Sequence, residues 1–403
     1  MPVVCLYFQV HQPRRLRYYT FFDIDRVGAY EDDRANRLLL DRVASKCYLP
    51  ANRILLDQIR RHNGAFRIAF SLTGVLLEQL EKDRPDVLES FRELADTGCV
   101  EFLNETYHHS LAFLFSRREF KQQVLLHKLK IESLFGLTPT TFRHTELIYS
   151  NELARVVEKM GYRAILAEGA ARILEGRSPD RLYRPAGCRR MKLLLRNYRL
   201  SDDIAFRFSD REWPEHPLTA EKFAHWIHRT DDAAAVVNLF MDYETFGEHH
   251  WAENGIFSFL ASLPAALLKQ DRFRFQTPGE AAASHDPEAV LDVPDPLSWA
   301  DEERDLTAWL GSAMQRDAIQ TLYKLEPRVR RRDGRFLQTW RMLQTSDHFY
   351  YMCTKWSADG DVHRYFNPYP SPYDAYINYM NILDDFSRRL KRESSGSMEE
   401  GPT

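Results

Sequence analysis

The sequence predicts an α/β protein: a barrel of parallel strands followed by a helical C-terminal domain. Two observations carry this expectation. Short apolar, β-branched runs alternate with amphipathic helical patterns over the first ~290 residues, and three helical patterns follow them. A third concerns the polar groups, which sit just after the strand-like runs, where barrel enzymes place their active sites.

Taken in order, Val3 to Val10 reads as a buried strand that passes directly into His11-Gln12-Pro13. A helical pattern from Leu49 to Arg61 precedes a second strand, Phe66 to Thr73, and Pro85 to Ala95 is helical again. Val100 to Leu103 forms the next strand and ends before Glu105. The helix Arg117 to Phe135 leads to a short strand around Thr141 to Arg143, which ends before Glu146. After the helix Asn151 to Met160 comes the strand-like Tyr162 to Ala167, and later the run Ala233 to Phe240 arrives at Asp242. Strands separated by helices imply parallel βαβ units, and their regular recurrence favours a closed barrel over separate small domains.

Between Asp286 and Pro296 the composition turns to Pro and Asp, which marks a boundary. The expected domains are therefore a barrel over 1–295, a helical domain over 296–392 that completes the active site, and a polar, disordered tail over 393–403. Ser298 and Asp301 resemble a capping box opening a helix with apolar positions Leu306, Trp309, Leu310, Ala313 and Met314. Further helices are expected from Phe336 to about Met352 and from Asp374 to Leu390, with Trp309 and Trp340 as core.

Composition narrows the function. With 403 residues, 44% of them hydrophobic, the chain can bury a large core. Its 55 basic and 58 acidic residues leave a formal net charge of -3, which creates no field favouring nucleic acid or an anionic membrane. Five widely spaced cysteines, never in a C-x-x-C pair, read as reduced core residues. Neither a signal core nor an apolar stretch of the roughly 18 to 20 residues needed for a membrane span is present, so a cytoplasmic protein is expected.

The chemistry concentrates in Met-Asp-Tyr-Glu-Thr-Phe-Gly-Glu-His-His-Trp, residues 241 to 251. Asp242, Glu244 and Glu248 stand there among Tyr243, Phe246 and Trp251. Sugar sites need that pairing, because carboxylates handle protons and hydroxyls while flat rings cover the apolar faces of pyranoses. Retaining hydrolysis requires two carboxyl groups roughly 5 to 5.5 Å apart, which distant residues meet only across strand ends. Glu146 and Asp242 form the best pair, although Glu146 by itself also suits a helix cap. His11 and Gln12, held by Pro13, can point to a ligand. His108 and His109 are adjacent and so diverge along an extended chain, and no H-E-x-x-H spacing occurs; no metal or other cofactor is expected. Asp347, set among His348, Phe349 and Tyr350, needs a partner that a sugar hydroxyl would supply.

Together these segments resemble the family 57 glycoside hydrolases, the retaining α-glucan-active enzymes of the α-amylase-like group. The resemblance runs from residue 3 to about 390 through His11-Gln12-Pro13, Gly98-Cys-Val-Glu101, Thr145-Glu146-Leu-Ile-Tyr149, Asp242-Tyr-Glu244-Thr-Phe-Gly247 and Gln344-Thr-Ser-Asp347. It implies an incomplete seven-stranded (β/α) barrel followed by helices, with Glu146 as nucleophile and Asp242 as general acid and base. By the same resemblance His11, Glu101, Glu244 and Asp347 line the subsite beside the cleaved bond; Gln12, Trp299 and Tyr350 are expected as further substrate contacts. Family glucanotransferases carry tryptophans where this chain has Arg143 and Tyr350. The expected substrate is an α-1,4-glucan: glycogen, starch or maltooligosaccharides. A glucan-binding protein of weak activity, a 4-α-glucanotransferase and a metal-dependent deacetylase are the alternatives. The mechanism further requires a raised proton affinity at Asp242, through burial and the charges of Glu146 and Glu244.

Overall fold

The computed structural model describes residues 2–231, 233–332, 334–355 and 367–396. The chain divides into two compact units. The first comprises residues 1–12, 39–105 and 124–299; the second comprises 13–38, 106–123 and 300–403. The break after Trp299 lies close to the composition shift, but the second unit also takes two segments from the N-terminal third of the chain. Both begin just after strand-end residues, Gln12 and Glu105, where a barrel tolerates long excursions.

The first unit is the barrel. Its strands are β1 (Val3–Val10), β2 (Ile68–Leu72), β3 (Val100–Phe102), β4 (Thr141–Phe142), β5 (Ala164–Glu168), β6 (Leu182–Pro185), β7 (Lys192–Arg196), β8 (Val236–Asp242), β9 (Arg274–Phe275) and β10 (Ala289–Leu291). One sheet runs β3-β2-β1-β8 with β9 at the start of β1, and the other runs β10-β6-β7-β5-β4. A parallel bridge between Asn104 and Phe142 links β3 to β4. Seven strands, β1 to β5 with β7 and β8, thus run in one direction, in the order expected of a (β/α) barrel. The barrel is incomplete between β7 and β8. There β6 pairs antiparallel with the first half of β7, and only at the far end does Asn197 N–H donate to Asn238 O at 2.9 Å.

All eight residues of β1 are buried, as its near-continuous apolar sequence requires of a central strand covered on both faces. Val3, Cys5 and Tyr7 share one core cluster with Ala69, Leu103, Leu166, Leu194 and Phe240, while Phe8 faces the opposite side and packs on Phe70, Tyr243 and Phe246. The helix Pro278–Ser284, opened by a Thr277/Glu280 capping box, contributes Ala281 and Ala282 to the inner cluster at the N-terminal end of the strands.

The predicted helices at Leu49–Arg61 and Arg117–Phe135 agree with the structure residue for residue, and the strands shift by three residues or fewer. The stretch 182–196, read as neither helix nor strand, supplies β6 and β7.

In the second unit Trp309 and Trp340 are 1% and 0% exposed, as their helical spacing predicts. Ser298 does not cap a helix: it is buried in an extended segment fixed by two backbone hydrogen bonds between Leu297 and Tyr149, and Asp301 is left-handed at φ 56°. The capping box is Ser312 with Gln315, opening the helix Ala313–Lys324. The expected helix from Phe336 to Met352 is two, Gly334–Met342 and Ser346–Tyr350, and the final helix is longer than expected, Pro372–Gly396. The tail expected to be disordered overlaps that helix as far as Gly396; 397–403 lie outside the described residues.

Candidate active site

At the C-terminal ends of the strands the first unit gathers its carboxylates. β1 leads into Gln9, His11 and Gln12, β3 into Glu105, β4 into Arg143 and Glu146, and β8 into Asp242 and Glu244. Asp242 is the last residue of β8 and lies in register with Gln9 of β1.

Glu146 sits in the tight turn Thr145–Leu147 with left-handed backbone angles, φ 57° and ψ 29°, and Leu147 follows at φ 49°. Two such non-glycine residues in succession cost about 1 to 3 kcal/mol each and persist only where neighbours enforce them. Here the Leu297–Tyr149 pairing and a bond from Trp299 N–H to Glu146 O at 3.2 Å do so. The same tryptophan donates its Nε1–H to Glu146 Oε2 at 2.8 Å. A donor on that oxygen favours the ionised carboxylate, and Glu146 is buried but for 8% of its surface.

Glu244 has the opposite setting. It is 5% exposed in the turn Tyr243–Thr245, and its Oε1 accepts from the Tyr48 hydroxyl and from Gln12 Nε2 at 3.3 Å. Burial, and then the neighbouring charge of Asp242, push its carboxyl up to about 8 against these two donors. Asp242 itself remains partly exposed, so the burial expected of it falls on Glu244. Tyr48 reaches the site from a π-helical turn, Ala44–Tyr48, that interrupts the helix before Leu49 and also lets Cys47 Sγ donate to Tyr243 O at 3.2 Å. Gly247, at φ +116°, brings the next loop against this turn: a Cβ there would meet Lys46 O at 2.0 Å.

Deeper in the barrel, Tyr7 donates its hydroxyl to Gln9 Oε1 at 2.8 Å, and Gln9 Nε2 donates to Glu105 Oε1 at 3.1 Å. His11 is half-buried with Nδ1 2.9 Å from the Thr73 hydroxyl, which caps the helix Gly74–Asp83. Two guanidinium groups flank the Trp299 ring. Arg143 Cζ is 4.9 Å and Arg196 Cζ 5.8 Å from its centroid.

Glu101 is a residue that the resemblance assigns to the sugar subsite. Its Oε2 accepts from Gly279 N at 2.7 Å, at the start of the helix Pro278–Ser284 near the N-terminal ends of the strands. Successive inward positions of this segment are 101, 103 and 105, and the buried Leu103 lies between Glu101 and the site. The acidic group that joins Gln9 is Glu105. Asp347 and Tyr350 belong to the second unit, on the helix Ser346–Tyr350, where the Tyr350 ring lies 6.2 Å from that of Trp309. Gln9 and Tyr48 were not foreseen; Gln9, a polar residue inside an apolar strand, is a readable signal, whereas Tyr48 is placed by the π-turn alone. Among the described residues no group of three His, Cys, Asp or Glu side chains is arranged to hold a metal ion.

The model of glycosyl hydrolase family 57 matches residues 5–294. A protein of Methanocaldococcus jannaschii, provisionally named an alpha-amylase, is 41% identical over 402 residues, which covers 95% of this chain and 84% of that one. In fold the chain is similar to a family-57-type branching enzyme of Pyrococcus horikoshii, with a TM-score of 0.71 at 16% identity, covering 98% of this chain and 91% of that one. It is also similar to a 4-alpha-glucanotransferase of Thermococcus litoralis, with a TM-score of 0.70 at 14% identity, covering 96% of this chain but 60% of that one.

Proposed function

Because this chain belongs to glycosyl hydrolase family 57, we propose that it cleaves α-1,4-glucosidic bonds of glycogen, starch or maltooligosaccharides with retention, through a glycosyl-enzyme. Glu146 attacks the anomeric carbon as the glycosidic bond breaks, and Asp242 gives its proton to the departing oxygen. Asp242 then takes a proton from water, whose oxygen displaces Glu146 from the anomeric carbon. Three groups along the site support these roles. Trp299 keeps Glu146 oriented and ionised. Glu244, pushed up to about 8 by burial and by the charge of Asp242, holds a proton at neutral pH beside the general acid. His11 and Gln12 bring hydrogen-bonding groups to a sugar, while the glucan contacts of Asp347 and Tyr350 rest on the motif resemblance alone.

The observation that carries this reading is the strained turn at Glu146, which fixes a single buried carboxylate under an indole N–H. All five cysteines are free and four are buried, which suits a reducing, cytoplasmic setting. No described helix is long and apolar enough to cross a membrane.

The test incubates the protein with maltoheptaose or glycogen beside Glu146→Gln and Asp242→Asn, and separates products by size. Shorter maltooligosaccharides from the wild type alone are expected. Longer products would assign transfer, in which a sugar intercepts the same intermediate. Binding without any product would replace this reading with a non-catalytic glucan-binding one.

A further inference from the structure

We propose that Arg143 is a positioning residue whose un-neutralised charge, set against the Trp299 indole, keeps Glu146 ionised. The inference deepens the reading of Glu146 as the nucleophile, while the ionisation of Glu146 is tested apart from turnover.

Arg143 is fully buried, yet Nε, Nη1 and Nη2 have no hydrogen-bond partner among the described residues, and no ion pair includes it. A guanidinium carries five donors and never loses its proton in a protein, so a buried one without an acceptor is costly and needs a compensating role. Its packing partner is the face of Trp299, the residue that bonds Glu146 through both its backbone and its ring nitrogen. Arg196 on the same ring shows the contrast. It pairs with Glu168 at 3.1 Å and Asp202 at 2.5 Å and donates to Phe240 O at 2.7 Å, so its charge is spent locally.

The other titratable groups on these strand ends do not supply the missing positive field. Glu105, Asp242 and Glu244 are acidic, Glu168 is tied to Arg196, and His144 turns its Nδ1 to Thr145 O at 3.2 Å. Tyr7 on β1 stays protonated: burial pushes its phenol up, and the Arg143 guanidinium is the largest influence in the opposite direction.

Trp299 gives a readout that needs no turnover. Its Nε1–H bonds the carboxylate in question, so protonation of Glu146 changes the emission of this indole. The experiment titrates the fluorescence difference between Trp299 and Trp299→Phe backgrounds, in otherwise wild-type protein, Arg143→Gln and Arg143→Lys, with thermal melting as a check on folding. The Glu146 midpoint is expected to rise by about one pH unit in Arg143→Gln, a tenfold change in proton affinity, and to stay within about 0.3 unit in Arg143→Lys, which keeps the cation. Arg143→Met takes the place of the glutamine variant if that one does not fold. An unchanged midpoint in the neutral variant, or an equal rise in the lysine variant, overturns the proposal and leaves Arg143 as packing for Trp299. A wild type that titrates as expected but cleaves no glucan would overturn the proposed function and leave this inference standing.

Discussion

Replacing Glu244 with glutamine should stabilise the protein, and increasingly so as the pH rises. The carboxyl of Glu244 titrates near 8 in the fold and near 4.5 when free. Its proton affinity is therefore raised by folding. Between those two values the unfolded chain has lost the proton while the fold still holds it, so wild-type stability falls with rising pH by about 1.4 kcal/mol per unit. Summed over the window, the loss is on the order of 5 kcal/mol, complete above pH 8 and absent below 4.5. Glutamine does not titrate, and its oxygen still accepts from Tyr48 and Gln12. Urea denaturation of both proteins from pH 5 to 8.5, followed by tryptophan fluorescence, should show a stability gap that widens in favour of Glu244→Gln. A flat gap would mean that the carboxyl is already ionised in the fold. That outcome would mean that the Tyr48 and Gln12 donors offset burial, because a carboxyl ionised in both states leaves the gap flat above about pH 5, and Glu244 would then hold no proton at neutral pH.

Two further expectations concern residues away from the reacting atoms. Glu101→Gln should leave kcat/KM on maltoheptaose within about twofold while lowering stability by roughly 1 to 2 kcal/mol through the weakened bond to Gly279 N; a large loss of activity with unchanged stability would return Glu101 to the sugar subsite. Gly247→Ala should destabilise by more than about 3 kcal/mol, since its Cβ would overlap Lys46 O and its φ suits only glycine. Urea midpoints equal to those of the wild type would show that the loop yields without cost.

The positions of most candidate-site residues were legible because strand ends are readable. An apolar β-branched run that stops at a polar residue predicts position, and it led to His11, Gln12, Glu146, Asp242 and Glu244. The case of β3 is instructive. Strand-end logic pointed to Glu105, motif resemblance pointed to Glu101, and the structure joins Glu105 to Gln9 while giving Glu101 to a helix start. A motif marks a residue as characteristic of a family without saying which end of the barrel needs it. Burial was expected at Asp242, yet Asp242 is partly exposed and its neighbour two residues later is the buried one. Burial at a turn depends on what packs over it, and Tyr48 comes from nearly 200 residues away in sequence. The Ser298 capping pattern failed for a similar reason, because pairing with Tyr149 holds that segment extended.

The π-helical turn at Ala44–Tyr48 can be regarded as one residue too many for a regular helix. Each residue of an α-helix advances by about 100°, so deleting one here would smooth the helix and swing Tyr48 away from Glu244 by more than a quarter turn. Leu55, Leu56 and Ile59, which the helix now buries, would rotate with the chain on one side of the cut or the other. The phenol at Glu244 and the apolar stripe of the following helix are thus set by the same surplus residue, and an insertion or deletion in this short stretch cannot change one without displacing the other.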